Sequence, residues 1–518
     1  MQTRREILVA GMTGAVAMAM PFGAGAGRTT RNNDELAFAS ARTLAARVAK
    51  RDIGIVELTE YFIRRIETYD SHINAVVVRD FDRALDAARQ ADNRLRRGDN
   101  QPLYGVPVTV KESFDVQGLQ TTWGMVPWKD MVATEDSHVA GRLKEAGAII
   151  LGKTNVPPML VDYQSSNDVY GQTGNPWDLA RTPGGSSGGS AAALAGGLTG
   201  FEYGSDIGGS IRNPAHYCGV FGHKSTWGIV PSTGHKPPVQ RLSGRGDIAV
   251  LGPMARSAAD LALGLKLTAG PRKLDAPGWR LDLPKPGVRK LSDFRVAFWH
   301  TDSAAPVSEE IANRSRRLME RLEGLGATVS EVARPDLDFQ QAHLAYLYLM
   351  QGALSSGTPE SVFQRNVERA EALSPDDRSP GATMARAAVQ SHNEWTRHDR
   401  VRNAARHAWR AFFDDWDVLV CPMQTTTAFP HDNRPRPQRM VDVNGQQRSM
   451  FEAAFWAGLV SMPGLPSTVF PTGLSEDGLP IGLQAVGGEF NDLTTIEFAG
   501  LVEHEFGGYV TPPLNYDL

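Results

Sequence analysis

Short apolar runs alternating with amphipathic stretches predict an α/β fold, a largely parallel or mixed β-sheet covered by helices on both faces. Two observations carry that expectation. Extended apolar segments recur at 106–110, 148–151, 294–299, 418–420, 467–470 and 482–486. Between them lie segments whose apolar residues repeat with helical spacing.

Taken in order, residues 34–97 read as helical. Leu58, Phe62 and Ile66 recur at i, i+4 and i+8, and the Ala/Arg-rich stretch 82–97 holds no helix breaker. Residues 106–110 form a strand that ends at Lys111. Asp136 is a candidate cap for a helix carrying Val139 and Leu143 and stopped by Gly147. A buried strand follows at 148–151, then a helix of small residues at 190–196. The strand at 294–299 precedes a helix around 312–325. Residues 337–415 read as mostly helical, interrupted near 374–380, and are a candidate substrate-covering insert. Strands at 418–420, 467–470 and 482–486 return to the sheet, and 491–506 closes with a helix. The Pro/Gly-rich stretch 277–290 reads as a surface connection.

The 518-residue chain is ordinary in composition, 41% hydrophobic and 22% charged, which indicates neither disorder nor a membrane bundle. A net charge of −4 without a Lys/Arg run gives no nucleic-acid footprint, and small neutral substrates suit the surface better than polyanions. Arg4 and Arg5 precede a small and apolar run at 7–20, followed by Ala24-Gly25-Ala26. That run is too short to span a bilayer. It reads as a Tat-type signal peptide over 1–26, with a periplasmic or secreted mature protein and no stable membrane anchor. Cys218 and Cys421, the two cysteines, both sit among apolar neighbours and read as core residues rather than a bridge.

The chemistry concentrates in three segments. Gly184-Gly185-Ser186-Ser187-Gly188-Gly189-Ser190 and Gly204-Ser205-Asp206-Ile207-Gly208-Gly209-Ser210-Ile211-Arg212 each set a serine among glycines, where backbone can approach a ligand and aim N–H groups at an oxyanion. Upstream, Gly105-Val106-Pro107-Val108-Thr109-Val110-Lys111 delivers one lysine. Two serines and a lysine can relay a proton without a histidine.

Together these segments, with Thr154-Asn155-Val156-Pro157 and Gly171–Trp177, resemble the amidase signature family, whose enzymes cleave carboxamides with a Ser–cis-Ser–Lys triad. The likeness is densest over 105–234. It implies one α/β/α domain over 27–518, with N-terminal helices at 34–100, the signature core at 105–234 and the helical insert at 337–415. By resemblance Ser210 matches the nucleophile, Ser186 the bridging serine and Lys111 the base, and the Gly185–Ser186 peptide bond is expected to be cis. Ile207, Gly208 and Gly209 match the oxyanion-hole run, and Asp206 and Arg212 support it. Leu160 and Asp162 fall where the family lines the site, although a short polar or small residue is more usual at Asp162. Trp123, Met125 and Tyr163 are further candidates for the pocket wall by proximity in sequence.

Two competing motifs fit the residues around them poorly. Gly147–Thr154 fits G-x-x-x-x-G-K-T, but its middle is Ala-Ile-Ile-Leu, a strand rather than a phosphate-cradling turn. Gly184–Gly188 fits the G-x-S-x-G elbow, but no apolar strand leads into it. His392, His398 and His407 lack metal-ligand spacing, and no metal or cofactor is expected. The expected function is hydrolysis of small apolar amides through a seryl acyl-enzyme. The alternatives are a glutamine amidotransferase-type subunit or an α/β-hydrolase-like esterase. The expected partner is a small-molecule amide, with a homodimer as a further option and no nucleic acid.

Overall fold

A computed structural model describes residues 34–95, 101–239 and 246–514; the expected signal peptide at 1–26 lies outside them. Eight strands form the main sheet, in the order Thr328–Ser330, Arg295–Phe298, Val418–Pro422, Pro480–Val486, Ser467–Leu474, Phe221–Lys224, Val250–Ala255 and Glu202–Asp206. Only the first three are mutually parallel; every other pairing is antiparallel, so the sheet is mixed and not largely parallel.

A second, three-stranded sheet pairs Ile149–Thr154 antiparallel with Val76–Arg79 and parallel with Pro107–Lys111. The two sheets meet at a seam. The Thr109 N–H donates to Phe201 O (3.3 Å) and to Thr199 Oγ1 (2.9 Å), which brings Pro107–Lys111 beside Glu202–Asp206. Pro107–Lys111 and Ile149–Thr154 are buried at every position, as runs without polar alternation require.

Helices Arg212–Cys218, Ala258–Thr268 and Asp492–Phe506 pack on the main sheet. Leu58, Phe62 and Ile66 line the buried face of Ile55–Ile73. The helix after residue 136 is His138–Glu145, and its cap is Ser137, whose Oγ accepts from the Ala140 N–H (3.2 Å). Asp136, the expected cap, instead accepts from the Gln117 N–H and pairs with Lys144. Residues 337–415 contain four helices, Phe339–Ser355, Glu360–Glu371, Pro380–Ala387 and His392–Asp415, and the expected break falls between the second and third. Both cysteines are buried and unbridged. Among the described residues no helix is long and apolar enough to cross a membrane, and no cluster of His, Cys, Asp and Glu is placed to hold a metal.

Candidate active site

Lys111 ends its strand at the seam with its side chain fully buried. Its Nζ donates to Ser186 Oγ (2.6 Å) and Ser205 Oγ (2.9 Å). Burial is the chief reason that its amine falls from 10.5 to about 7; Asp206, Glu202 and Glu112 oppose the fall electrostatically. A lysine that is half neutral at pH 7 can accept a proton, which an ordinary one rarely does.

Ser186 follows a cis peptide bond from Gly185. A Cβ on Gly185 would collide with the backbone of Asp162 and Gln164, so this position needs glycine. Ser165 Oγ accepts from the Gly188 N–H (3.0 Å) and donates to Gly184 O (3.1 Å), pinning both ends of the loop. The helix Gly188–Ala195 starts directly behind it. Ser187 N–H donates to Ser210 O (3.1 Å), fastening the two serine loops together. Ser210 keeps 6% of its surface exposed, against 1% for Ser186, so of the two it faces the solvent side.

The loop before Ser210 is organised around a buried ion pair. Asp206 accepts from Arg212 Nη2 (2.9 Å) and Nε (3.0 Å) and from the N–H groups of Gly209 (2.9 Å), Ile211 (3.1 Å) and Arg212 (3.3 Å). Burial pushes the Asp206 carboxyl up, but Arg212 and these donors outweigh it and hold it at about 2. Arg212 reaches on to Gln484 Oε1 (3.0 Å) and Ser461 Oγ (2.8 Å). Asp206 and Arg212, the residues expected to support this loop, are thus bonded to each other and to its backbone. Gly209 departs from expectation: its N–H is taken by Asp206, while its φ of 100° makes the turn. Among the described residues the N–H groups of Ile207, Gly208 and Ser210 have no hydrogen-bond partner.

The expected wall residues divide. Tyr163 is brought to the loop, its hydroxyl donating to Gly208 O (3.0 Å) and its ring 6.0 Å from that of Phe451. Asp162 lies against Gly185 and forms an ion pair with Arg439 (2.5 Å), which answers the charge at that position. Trp123 is buried against His235, ring centroids 5.2 Å apart, on the lysine side of the site; its Nε1 has no partner among the described residues. Met125 and Leu160 are only half-buried on short turns, and among the described residues no hydrogen bond ties either to Ser186 or Ser210.

Sequence reasoning missed several neighbours. Tyr346 of the insert donates to Ile207 O (3.3 Å), Met423 lies against Gly209, and Arg439 pairs with Asp162. Ser205 bonds to Lys111, and its place one residue before Asp206 was the available signal. Lys153, in the lookalike phosphate motif, is buried in its strand and donates to Gln120 O and Thr121 Oγ1, so that motif holds no phosphate cradle. Ser186 is bonded to a lysine, and no strand leads into its loop, contrary to an α/β-hydrolase elbow.

The profile of the Amidase family matches residues 57–496. The chain is 31% identical over 496 residues to a glutamyl-tRNA(Gln) amidotransferase subunit of Moorella thermoacetica, covering 90% of this chain and 96% of that one. It is 32% identical over 481 residues to indoleacetamide hydrolase of Bradyrhizobium diazoefficiens, covering 90% and 86%. The solved structure of 6-aminohexanoate cyclic dimer hydrolase with substrate superposes with a TM-score of 0.73 at 25% identity, over 93% of this chain and all of that one. The chain belongs to the amidase family, the amidase-signature enzymes that hydrolyse amide C–N bonds.

Proposed function

We propose that the enzyme hydrolyses small, uncharged, apolar carboxamides through an acyl-enzyme on Ser210. Neutral Lys111 takes the Ser186 proton as Ser186 takes that of Ser210, and Ser210 Oγ forms a bond to the carbonyl carbon. The N–H groups of Ile207, Gly208 and Ser210 are the donors to the oxyanion. The proton returns from Lys111 through Ser186 to the leaving nitrogen as the C–N bond breaks, and water then releases the acid by the same relay. The observation that carries this reading is the 2.6 Å contact of Lys111 Nζ with Ser186 Oγ at a fully buried lysine poised near pH 7.

An apolar substrate is supported by Tyr163, Phe451, Met423 and Tyr346 around the serine loop and by the pairing of Asp162 with Arg439. Buried apolar walls favour apolar groups by about 25 cal/mol per Å² and strongly disfavour unpaired charge. The likeness to indoleacetamide hydrolase points the same way. The likeness to an amidotransferase component favours a second reading, glutamine hydrolysis within a complex.

Two measurements test these readings. Ser210→Ala is expected to abolish turnover and labelling by a fluorophosphonate probe; a label mapped to Ser186 in that variant refutes the assignment. The second compares kcat/KM for arylacetamides with that for glutamine. A preference for glutamine overturns the apolar reading.

A further inference from the structure

We propose that Glu202 is a positioning residue for the relay, a buried counter-charge that keeps Lys111 basic while it holds the transferred proton. The inference rests on the reading of Lys111 as the base.

Glu202 lies in the edge strand of the main sheet, between Phe201 and Tyr203, and all three are fully buried. A carboxyl group at such a position is costly unless something answers it. Here Glu202 Oε1 accepts from Thr109 Oγ1 (2.6 Å) and Thr154 Oγ1 (3.0 Å), and Oε2 accepts from the Tyr203 N–H (2.9 Å). Both threonines belong to the surroundings of Lys111. Thr109 precedes it by two positions and so shares its face of the strand, and Thr154 is its partner in the parallel register. Thr154 Oγ1 is in turn hydrogen-bonded to Ser190 Oγ (2.9 Å). No lysine or arginine forms an ion pair with Glu202 among the described residues.

The other charged groups around the amine are already committed. Asp206 is paired with Arg212. Glu112 accepts from the N–H groups of Thr122 and Trp123 and from the Tyr170 hydroxyl. His235 is held neutral, chiefly by burial, at about 3, and Lys153 donates to Gln120 and Thr121. Glu202 and Glu112 are the acids here with no ion pair among the described residues, and of the two it is Glu202 that is bonded to the threonines flanking Lys111. Burial raises its carboxyl to about 7, the range in which Lys111 also titrates, and its charge is one of those that oppose the fall of the Lys111 amine. When the relay delivers a proton to Lys111, an ionised Glu202 stabilises the ammonium in a low-dielectric site, where such attraction is strong.

The test is Glu202→Gln. Its amide oxygen can face the Tyr203 N–H while its NH₂ donates to the two threonine hydroxyls, which rotate to accept. The pH dependence of kcat/KM on a neutral amide is measured with wild type, Glu202→Gln and Lys111→Ala. We expect the acid limb of Glu202→Gln to move to lower pH by about one unit, together with a roughly ten-fold lower plateau, because an isolated Lys111 is less basic. Lower activity with an unmoved limb overturns the inference, since a merely structural role gives that result. If Glu202→Gln does not fold, Thr109→Val removes one donor from the carboxylate and should move the limb in the same direction by less; an unmoved limb there refutes it equally. Lys111→Ala separates the two claims. Full activity in that variant sinks the relay itself, whereas a dead Lys111→Ala beside an unmoved Glu202→Gln limb sinks only the role of Glu202.

Discussion

Replacing Lys111 by methionine should destroy activity and yet make the protein more stable at acid to neutral pH. The folded state holds this amine at about 7 against an ordinary 10.5. At about 1.4 kcal/mol per unit the difference amounts to roughly 5 kcal/mol by which burial of a protonatable lysine penalises folding. The sign follows from proton binding. Below about pH 7 both states carry the proton and the penalty is complete. Between 7 and 10.5 only the unfolded chain carries it, so the penalty shrinks as pH rises; above 10.5 it is gone. Methionine fills a similar volume without charge, at the cost of two hydrogen bonds to Ser186 and Ser205, each worth about 1 kcal/mol. The net expectation is a gain of about 2–3 kcal/mol at pH 6, fading by a similar amount at pH 9. Urea unfolding of both proteins at the two pH values measures it. A difference that does not change with pH, or a variant less stable at pH 6 than at pH 9 relative to wild type, would refute the account of Lys111 as a desolvated base.

Three other outcomes are expected. Asp206→Asn breaks a buried pair and should cost about 3 kcal/mol at pH 7; because the folded carboxyl sits at about 2, below its ordinary 3.8, the wild-type advantage is present above pH 4 and should fade as pH falls toward 2 in acid-unfolding curves. Tyr346→Phe removes one hydrogen bond to Ile207 O, so kcat/KM should fall several-fold, about 1 kcal/mol, with Tm nearly unchanged. Changing Arg4 and Arg5 together to lysine should leave unprocessed precursor in the cytoplasm on cell fractionation, and normal export of that double variant would defeat the Tat reading.

The parts of the site that sequence made legible are those written locally. Lys111, Ser186 and Ser210 each follow a glycine-bearing segment whose constraint shows in the string itself, and the structure places Lys111 on Ser186 and docks the two serine loops. What stayed hidden is long-range or weakly patterned. Tyr346 meets a carbonyl 139 positions away and Arg439 a carboxylate 277 away, and nothing in either neighbourhood encodes its partner. The strands Glu202–Asp206, Phe221–Lys224 and Val250–Ala255 were missed because glycine, proline and charged residues interrupt them. They are strands by virtue of being packed between others, which overrides weak intrinsic preference. The antiparallel majority in the main sheet was likewise invisible, since alternation of strand and helix signals does not fix strand direction.

The seam between the two sheets has a mechanical consequence. Lys111 rides at the end of a three-stranded flap, while the Ser210 loop is anchored to the eight-stranded slab, and the backbone stitch at Thr109 couples the rims. Any tilt of flap against slab is therefore read out as a change in the gap between amine and hydroxyl. Because a misplacement of about 1 Å can cost a hundred-fold in rate, that gap works as a strain gauge. Thr199, whose buried hydroxyl accepts from the Thr109 N–H and donates to Phe201 O away from the reacting atoms, is where a substitution would retune turnover by shifting the joint.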